Sequence, residues 1–329
     1  MQIILEGHDR PVPVEAGDTI LASLLRAGVP FPFSCQAGNC GTCKCELVSG
    51  DVLELEHSEH ALAPEERAKG IILACRTQVW DDTVVRRLDT EELVMHPSRV
   101  MRCRVVEIEP LTHDIRGVRL AMEAGGPMSF SAGQYAQIEF APGLSRHYSM
   151  ANTPDEPELV FHIRYMPGGR TSRYVATQLK VGDKVKVSGP LGVSYLRDQH
   201  RGPVLLVAGG SGLAPIQSIL CTLLARGYEA AVKLYFGVRS ERDVYHEPLL
   251  KDLAVRHPNF EYHVVLSEQI GAKGRRYGLV HEALDLPVSE SVMAYLAGPP
   301  VMVESATALL RSQGVAAGRI HADAFYDQN

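Results

Sequence analysis

Apolar and polar positions along this chain change their rhythm twice, and the two changes divide it into three stretches. In the first, residues 1–5 and the pair Val12 and Val14 read as strands. Ile20, Leu21, Leu24 and Leu25 then recur at helical spacing, with Asp18 placed to cap the helix start and Gly28 to stop it. Residues 43–48 alternate again as a strand, so residues 1–92 predict a small α+β domain. Residues 91–99 are polar and broken by Pro97, which makes 93–99 a linker. Short β-like runs follow at 103–108, 117–121, 134–140, 158–165 and 184–188, separated by Gly and Pro clusters. Runs of that length and spacing predict a small antiparallel β-barrel over residues 100–198. From Gly202 the pattern becomes apolar strand, glycine turn and helix, repeated, which predicts an α/β parallel sheet with crossover helices over residues 199–329. There is no internal repeat and no low-complexity tract.

At 329 residues the chain is long enough for several cores, so a multidomain protein is expected. No run approaches the roughly 18 apolar residues of a membrane span. The N-terminus turns acidic at Glu6, before a signal-peptide core could form. These features lead to the expectation of a cytoplasmic protein that binds neither membrane nor nucleic acid. The net charge is −6, and residues 1–95 alone hold 16 acidic and 8 basic side chains. An acidic first domain steers a basic partner surface toward itself, although charge of this kind also simply solvates a small domain.

Cysteine spacing adds the chemistry. Cys35, Cys40 and Cys43 form Cys-x4-Cys-x2-Cys, and Cys75 follows after 31 further residues, the ligand spacing of a plant-type 2Fe-2S ferredoxin. Gly38 and Gly41 punctuate the loop where the backbone must curl around inorganic sulfide. A zinc site would show paired Cys-x2-Cys or nearby histidines, and neither is present. Cys45 is near enough to compete as a ligand, but its place in an alternating strand gives it a structural role. Cys103 and Cys221 lie in apolar runs and read as small buried hydrophobes. Cysteine use is therefore that of a metal cluster in a reducing compartment.

The second stretch carries Arg146-His147-Tyr148-Ser149 and, further on, Gly168-Gly169-Arg170-Thr171-Ser172. An arginine suits a pyrophosphate, a tyrosine lies against an aromatic ring system, and Gly-Gly followed by hydroxyls opens a helix whose amides receive phosphate. Either piece alone is weak, because a strand tyrosine is usually packing; together on a barrel they suggest a flavin site. The third stretch opens with the apolar strand 204–208 running into Gly209-Gly210-Ser211-Gly212 and then a helix, an arrangement that admits a dinucleotide pyrophosphate. A similar strand-to-turn unit recurs at Ala297-Gly298-Pro299.

With these motifs in this order, the chain resembles, over essentially its whole length, the reductase components of multicomponent bacterial oxygenases in the ferredoxin–NADP reductase superfamily. Among these it resembles those of Rieske-type aromatic-ring-hydroxylating systems such as naphthalene dioxygenase. The resemblance implies an α+β β-grasp ferredoxin domain, an antiparallel β-barrel FAD domain and an α/β NAD domain. It implies that Cys35, Cys40, Cys43 and Cys75 hold the 2Fe-2S cluster. Arg146 would bind the FAD pyrophosphate, Tyr148 pack on the isoalloxazine and Ser149 hydrogen-bond near flavin N5. Gly168, Gly169, Thr171 and Ser172 would line the FAD phosphates, with His162 and Arg164 on the strand beside them. Gly209, Gly210 and Gly212 would sit under the NAD pyrophosphate. Phe325, with Tyr326 second, would cover the flavin face that nicotinamide must reach. Ser149 and Phe325 are thus the two residues expected at the reacting atoms, while Asp323 and Glu304 are read as surface or structural groups.

One departure is Ala297, where many relatives place a cysteine before Gly298; hydride transfer needs proximity and orientation more than a thiol. NADP-using relatives carry an arginine after the serine that matches Ser267, and this chain has Glu268. A carboxylate there accepts a ribose hydroxyl and repels a phosphate, favouring NADH, although Lys273, Arg275, Arg276 and Tyr277 lie close enough to receive the phosphate of NADPH. The implied function is electron delivery from NADH through FAD and the cluster to a terminal oxygenase or an intermediary ferredoxin, by a monomer. Two readings compete: the same electron chain serving a deoxysugar dehydratase or a diiron monooxygenase, and a redox carrier or sensor without catalysis of its own.

Overall fold

The computed structural model describes residues 1–33, 35–59, 61–88, 94, 96–271, 273–285 and 291–326. In it the chain divides between residues 95 and 96 into two units. Positions 93 and 95 of the expected linker lie outside the described residues, and Arg99, its other end, already opens a strand.

In the first unit, β1 (Gln2–Leu5) hairpins with β2 (Val12–Pro13), and α1 (Ile20–Arg26) buries Ile20, Leu21 and Leu24. The helix cap differs from the sequence expectation by one residue. Thr19, extended at φ −81° and ψ 163°, accepts from the Ala22 amide at 3.2 Å, while Asp18 pairs with Arg26. Both side chains are good caps; Thr19 takes the amide while Asp18 is engaged by Arg26. The remaining elements are β3 (Lys44–Ser49), β4 (Val52–Glu54), α2 (Pro64–Arg67), β5 (Ile71–Leu73), β6 (Thr77–Val79) and β7 (Thr83–Arg87). Their sheet runs β2-β1-β7-β3-β5, with β1 and β7 parallel, and β4 pairs separately with β6.

The second unit begins with an antiparallel sheet of six strands: β8 (Arg99–Pro110), β9 (Ile115–Ala124), β10 (Tyr135–Ala141), β11 (Leu144–Ser149), β12 (Leu159–Arg164) and β13 (Lys184–Leu191). Their order is β11-β10-β13-β8-β9-β12. The outer strands meet through a bridge between Met150 and Phe161 and a 2.7 Å bond from the Ala151 amide to Val160 O, which closes the barrel. Inward residues such as Cys103, Val118, Ile138, Phe161 and Ile163 fill it. Cys103 is therefore the buried hydrophobe expected, its thiol pushed up to about 11 by burial. Helix α3 (Arg170–Thr177) follows β12 and sets Val175 into the same core.

The rest of this unit alternates strand and helix: β14 (Val204–Gly209), α4 (Leu213–Ala225), β15 (Val232–Val238), α5 (Glu247–Arg256), β16 (Phe260–Leu266), β17 (Arg276–Tyr277), β18 (Met293–Gly298), α6 (Pro300–Ser312) and β19 (Ile320–Ala324). All pairs are parallel and the order is β17-β16-β15-β14-β18-β19. The chain leaves β14 first to one side and later to the other, so a switch point lies at its C-terminal end, where open α/β sheets bind ligands. Ser218 on α4 donates to Asn152 O at 2.6 Å and ties this layer to the barrel.

Candidate functional site

The structure brings Cys35, Cys40, Cys43 and Cys75 together as two sulfur pairs. Cys35 Sγ accepts from the amides of Ala37 and Asn39 at 3.4 and 3.3 Å, and the Cys35 amide reaches Cys40 Sγ at 3.5 Å. The Cys40 thiol donates to Cys35, which brings Cys35 down to about 5 and pushes Cys40 up. Cys75 enters from the turn Ala74–Arg76; its amide meets Cys43 Sγ at 3.5 Å, and the Cys43 thiol lowers the Cys75 pKa in the same way. Two pairs of sulfurs, with amides already aimed at them, fit a group of two irons with two thiolates each. Cys45 is fully buried in β3 and pushed up to about 12, foremost by burial, in keeping with a structural thiol. Gly41 is required by the path: it sits at φ 72°, and a Cβ there would lie 2.7 Å from Ala61 O.

In the second unit the flavin-type motif is covered by the end of the chain. Strand alternation puts Ser149 at the end of β11, where it is 7 % exposed and donates to Asp323 Oδ2 at 3.2 Å. Asp323 is itself 7 % exposed, so it is no surface residue. Its place in β19, in register with Ala297, carries the carboxylate to the serine. Arg146 Nη2 donates to Tyr326 O at 3.4 Å, and the Tyr326 hydroxyl donates to Glu304 Oε1 at 3.1 Å, which makes Glu304 an anchor of the tail. The Phe325 amide donates to Gly298 O at 2.9 Å, fixing the half-buried Phe325 at the C-terminal end of β18. Tyr148 packs against the barrel core with its ring edge-on to Phe140 at 6.1 Å, and burial raises its phenol.

Gly169 caps α3 without a side-chain bond, so no capping side chain takes the first-turn amides, which is what a phosphate site requires. Ser172 is buried, its Oγ accepts from the Met166 amide at 3.1 Å, and it holds its own loop. Thr171 is half-buried. A cavity of about 280 Å³ beside α3 is lined by Asp114, Arg116, Tyr165 and Arg173 among others, with charges of both signs.

His162 and Arg164 share the outer face of β12, because Phe161 and Ile163 take the inner one. His162 is buried against the nucleotide-binding layer, with Nδ1 3.1 Å from the Tyr245 hydroxyl and its ring 5.0 Å from His246. Burial keeps this imidazole neutral, so it packs two layers together. Arg164 donates to Asp114 Oδ2 at 2.8 Å, and its Nη1 would lie 3.4 Å from a Cβ on Gly210.

The glycine turn after β14 divides its roles. A Cβ on Gly212 would lie 2.1 Å from Ala297 O, so this glycine lets α4 start against β18. Gly209 faces Met302 Sδ and Pro299 in the same way, whereas Gly210 leaves backbone open beside Arg164. Ala297 is buried at the end of β18, next to Gly298. Glu268 is exposed at the C-terminal end of β16, its amide bound to Arg239 O at 2.9 Å. The sequence reading missed Asp323; its signal was a carboxylate alternating with His321 on the buried face of the last strand.

Three family profiles match in the same order. They are the 2Fe-2S iron-sulfur cluster binding domain at residues 3–79, the oxidoreductase FAD-binding domain at 102–195 and the oxidoreductase NAD-binding domain at 206–308. The chain is 41 % identical to the ferredoxin–NAD(P)+ reductase component of the naphthalene 1,2-dioxygenase/salicylate 5-hydroxylase systems of a Ralstonia species, over 99 % of both chains. It is 38 % identical, again over 99 % of both, to the corresponding component of the naphthalene 1,2-dioxygenase system of Pseudomonas putida. The crystal structure of the Amycolatopsis cytochrome P450 reductase GcoB superposes with a TM-score of 0.83 at 37 % identity, covering 98 % of each chain.

Proposed function

Because this chain belongs to the family of ferredoxin–NAD(P)+ reductase components of oxygenase systems, we propose that it takes electrons from NADH and delivers them to a terminal oxygenase, or to a ferredoxin before it, acting on an aromatic compound. The chain is an oxidoreductase with 2Fe-2S, FAD-binding and NAD-binding domains. When bound, FAD accepts both electrons of a hydride and releases them singly to the 2Fe-2S cluster.

The chain's own residues bind and orient. Arg146, steadied by the Tyr326 carbonyl, faces a pyrophosphate, and the amides after Gly168 and Gly169, with Thr171, receive its partner phosphate. Tyr148 offers a ring to the flavin, and Ser149 holds its hydroxyl at the reacting edge because Asp323 fixes it. Phe325 excludes water from the face nicotinamide must reach. Gly210 and the start of α4 take the dinucleotide phosphates, Glu268 takes the ribose hydroxyls, and Ala297 leaves room at the nicotinamide. Cys35, Cys40, Cys43 and Cys75 hold the cluster. Domain limits at 1–92, 100–198 and 199–329, a cytoplasmic location and a monomeric state complete the reading; light scattering on the purified chain tests the last.

The observation that carries this reading is the Ser149–Asp323 hydrogen bond, which joins the barrel strand to the last strand of the nucleotide sheet. Among the described residues no helix is long and apolar enough to cross a membrane. Anaerobic titration with NADH and, separately, NADPH, followed in the visible region, tests the electron path. Flavin bleaching without cluster bleaching would sink it, and equal response to both nucleotides would sink the role of Glu268. Likeness to GcoB favours one second reading, a cytochrome P450 as recipient, and reconstitution with each class of oxygenase separates the two.

A further inference from the structure

We propose that Glu241 and Glu247 set coenzyme selectivity by clasping Arg275, the cation that would otherwise receive the 2'-phosphate of NADPH. The inference rests on the reading above that the segment after β16 carries the adenosine ribose. That segment is tied to the end of β15: the Ser267 amide bonds Val238 O at 3.0 Å, Glu268 bonds Arg239 O at 2.9 Å, and the Glu241 amide bonds Gln269 Oε1 at 2.9 Å. Glu241 is therefore at the same rim as Glu268.

Arg275 is held by two carboxylate forks. Its Nε and Nη2 reach Glu241 at 2.6 and 2.9 Å, and its Nη1 and Nη2 reach Glu247 at 2.7 and 3.0 Å. The side chain is 12 % exposed. Bidentate pairing of this kind is what an arginine otherwise offers a phosphate. The next cation, Arg276, is engaged as well, with Asp285 Oδ2 at 2.5 Å and Ala283 O at 2.7 Å. Of the three cations that the sequence sets near Glu268, Arg275 is thus turned into the fold, Arg276 is engaged at the surface, and Lys273 remains exposed. Lys251 approaches Glu247 at 3.5 Å on its other side. At the rim, two carboxylates face one guanidinium and Glu268 adds a third acid. A 2'-phosphate arriving there meets this acid cluster and finds the Arg275 fork already occupied, with Arg239 drawn toward Asp114 and Asp243 at 3.6 and 3.8 Å; a 2'-hydroxyl meets an acceptor.

The holoenzyme is assayed with both coenzymes. In E241Q/E247Q the kcat/KM ratio of NADPH to NADH is expected to rise about tenfold, the scale of one charge-assisted hydrogen bond, with the gain residing in KM for NADPH. Arg275→Met uncovers two carboxylates and is expected to move the ratio the opposite way. A role in folding alone would lower both coenzymes together in both variants, and that result overturns the proposal. Should the double variant fail to hold flavin, Glu241→Gln alone releases one of the two forks and is expected to raise the ratio in the same direction by a smaller factor. Glu268→Arg tests the underlying reading separately. If it raises the ratio while the clasp variants do not, the clasp is refuted and the ribose site stands; if it leaves the ratio unchanged, the ribose site falls and the clasp with it.

Discussion

The cysteine loop and the flavin face are built on opposite principles. Three of the four cysteines come from one nine-residue stretch, and the amides that meet the Cys35 and Cys40 sulfurs come from the same loop. The loop depends on backbone path, with Gly41 at a position where no side chain fits. The flavin face instead joins β11 to the C-terminal strand by side-chain contacts, Ser149 to Asp323 and Arg146 to Tyr326 O. A site made by local backbone is fixed by the residues that ligate, whereas one made by distant side chains depends equally on residues that never touch the cofactor.

The largest expected effect tests whether the first site is all-or-none. Cys75→Ser removes one sulfur of the Cys43 pair and is expected to abolish the cluster and its delivery of single electrons to cytochrome c, while NADH still bleaches the flavin. Absorbance and electron paramagnetic resonance measure both. Retained electron delivery would break the distinction, because it would mean the flavin face works without the loop.

Next in size is the second site's dependence on a residue outside it. Asp323→Asn keeps the shape of the side chain and takes away the charge that fixes the Ser149 hydroxyl. Hydride transfer from NADH, followed by stopped flow, is expected to slow about a hundredfold, the cost of a small misplacement at reacting atoms, with flavin still bound. An unchanged rate would show that the serine is positioned by β11 alone.

Legibility in the sequence follows the same division. Cys-x4-Cys-x2-Cys is a local spacing, so the loop could be read directly, as could the alternation of the barrel strands and the strand–glycine–helix rhythm beyond. What could not be read are relations set by tertiary register: that β19 aligns Asp323 with Ala297, that Arg275 is turned between two glutamates, and that Ser172 closes its own loop. The cap shows the finest grain of this limit, since Asp18 and Thr19 are both suitable capping types and only the folded contacts, Thr19 to the Ala22 amide and Asp18 to Arg26, separate them.

Acid should separate the two units by pH window. Burial brings His321 down to about 3 and keeps His162 neutral, both in the second unit. Between about 3 and the unfolded value of about 6.5, the unfolded chain holds a proton that the fold refuses. Stability from these groups is therefore complete above about 6.5 and is lost as pH falls, by about 1.4 kcal/mol per pH unit for each histidine. In the first unit Glu6 is lowered by its hydrogen bond with Arg86, so its contribution is present above the ordinary carboxylate value and is lost as pH falls below it. Melts followed by flavin fluorescence should fall between pH 7 and 5 while melts followed by cluster absorbance hold. A joint fall of both would merge the two regions into one cooperative body.

The smallest effect asks the same question from the other side. Thr19→Ala deletes the cap of α1, a helix whose buried Ile20, Leu21 and Leu24 belong to the first unit. Loss of a cap costs about 1 kcal/mol, which in a domain of this size lowers the melting temperature by roughly 4–8 °C. If the units unfold separately, the cluster transition moves by that amount and the flavin transition does not. Asp18 stands one residue away but is turned to Arg26, so rescue by Asp18 would require the helix to start one residue earlier. A double variant that also carries Asp18→Ala, equal in stability to Thr19→Ala alone, would show that the Thr19 hydroxyl, and no generic acidic helix start, holds the α1 end of the first unit.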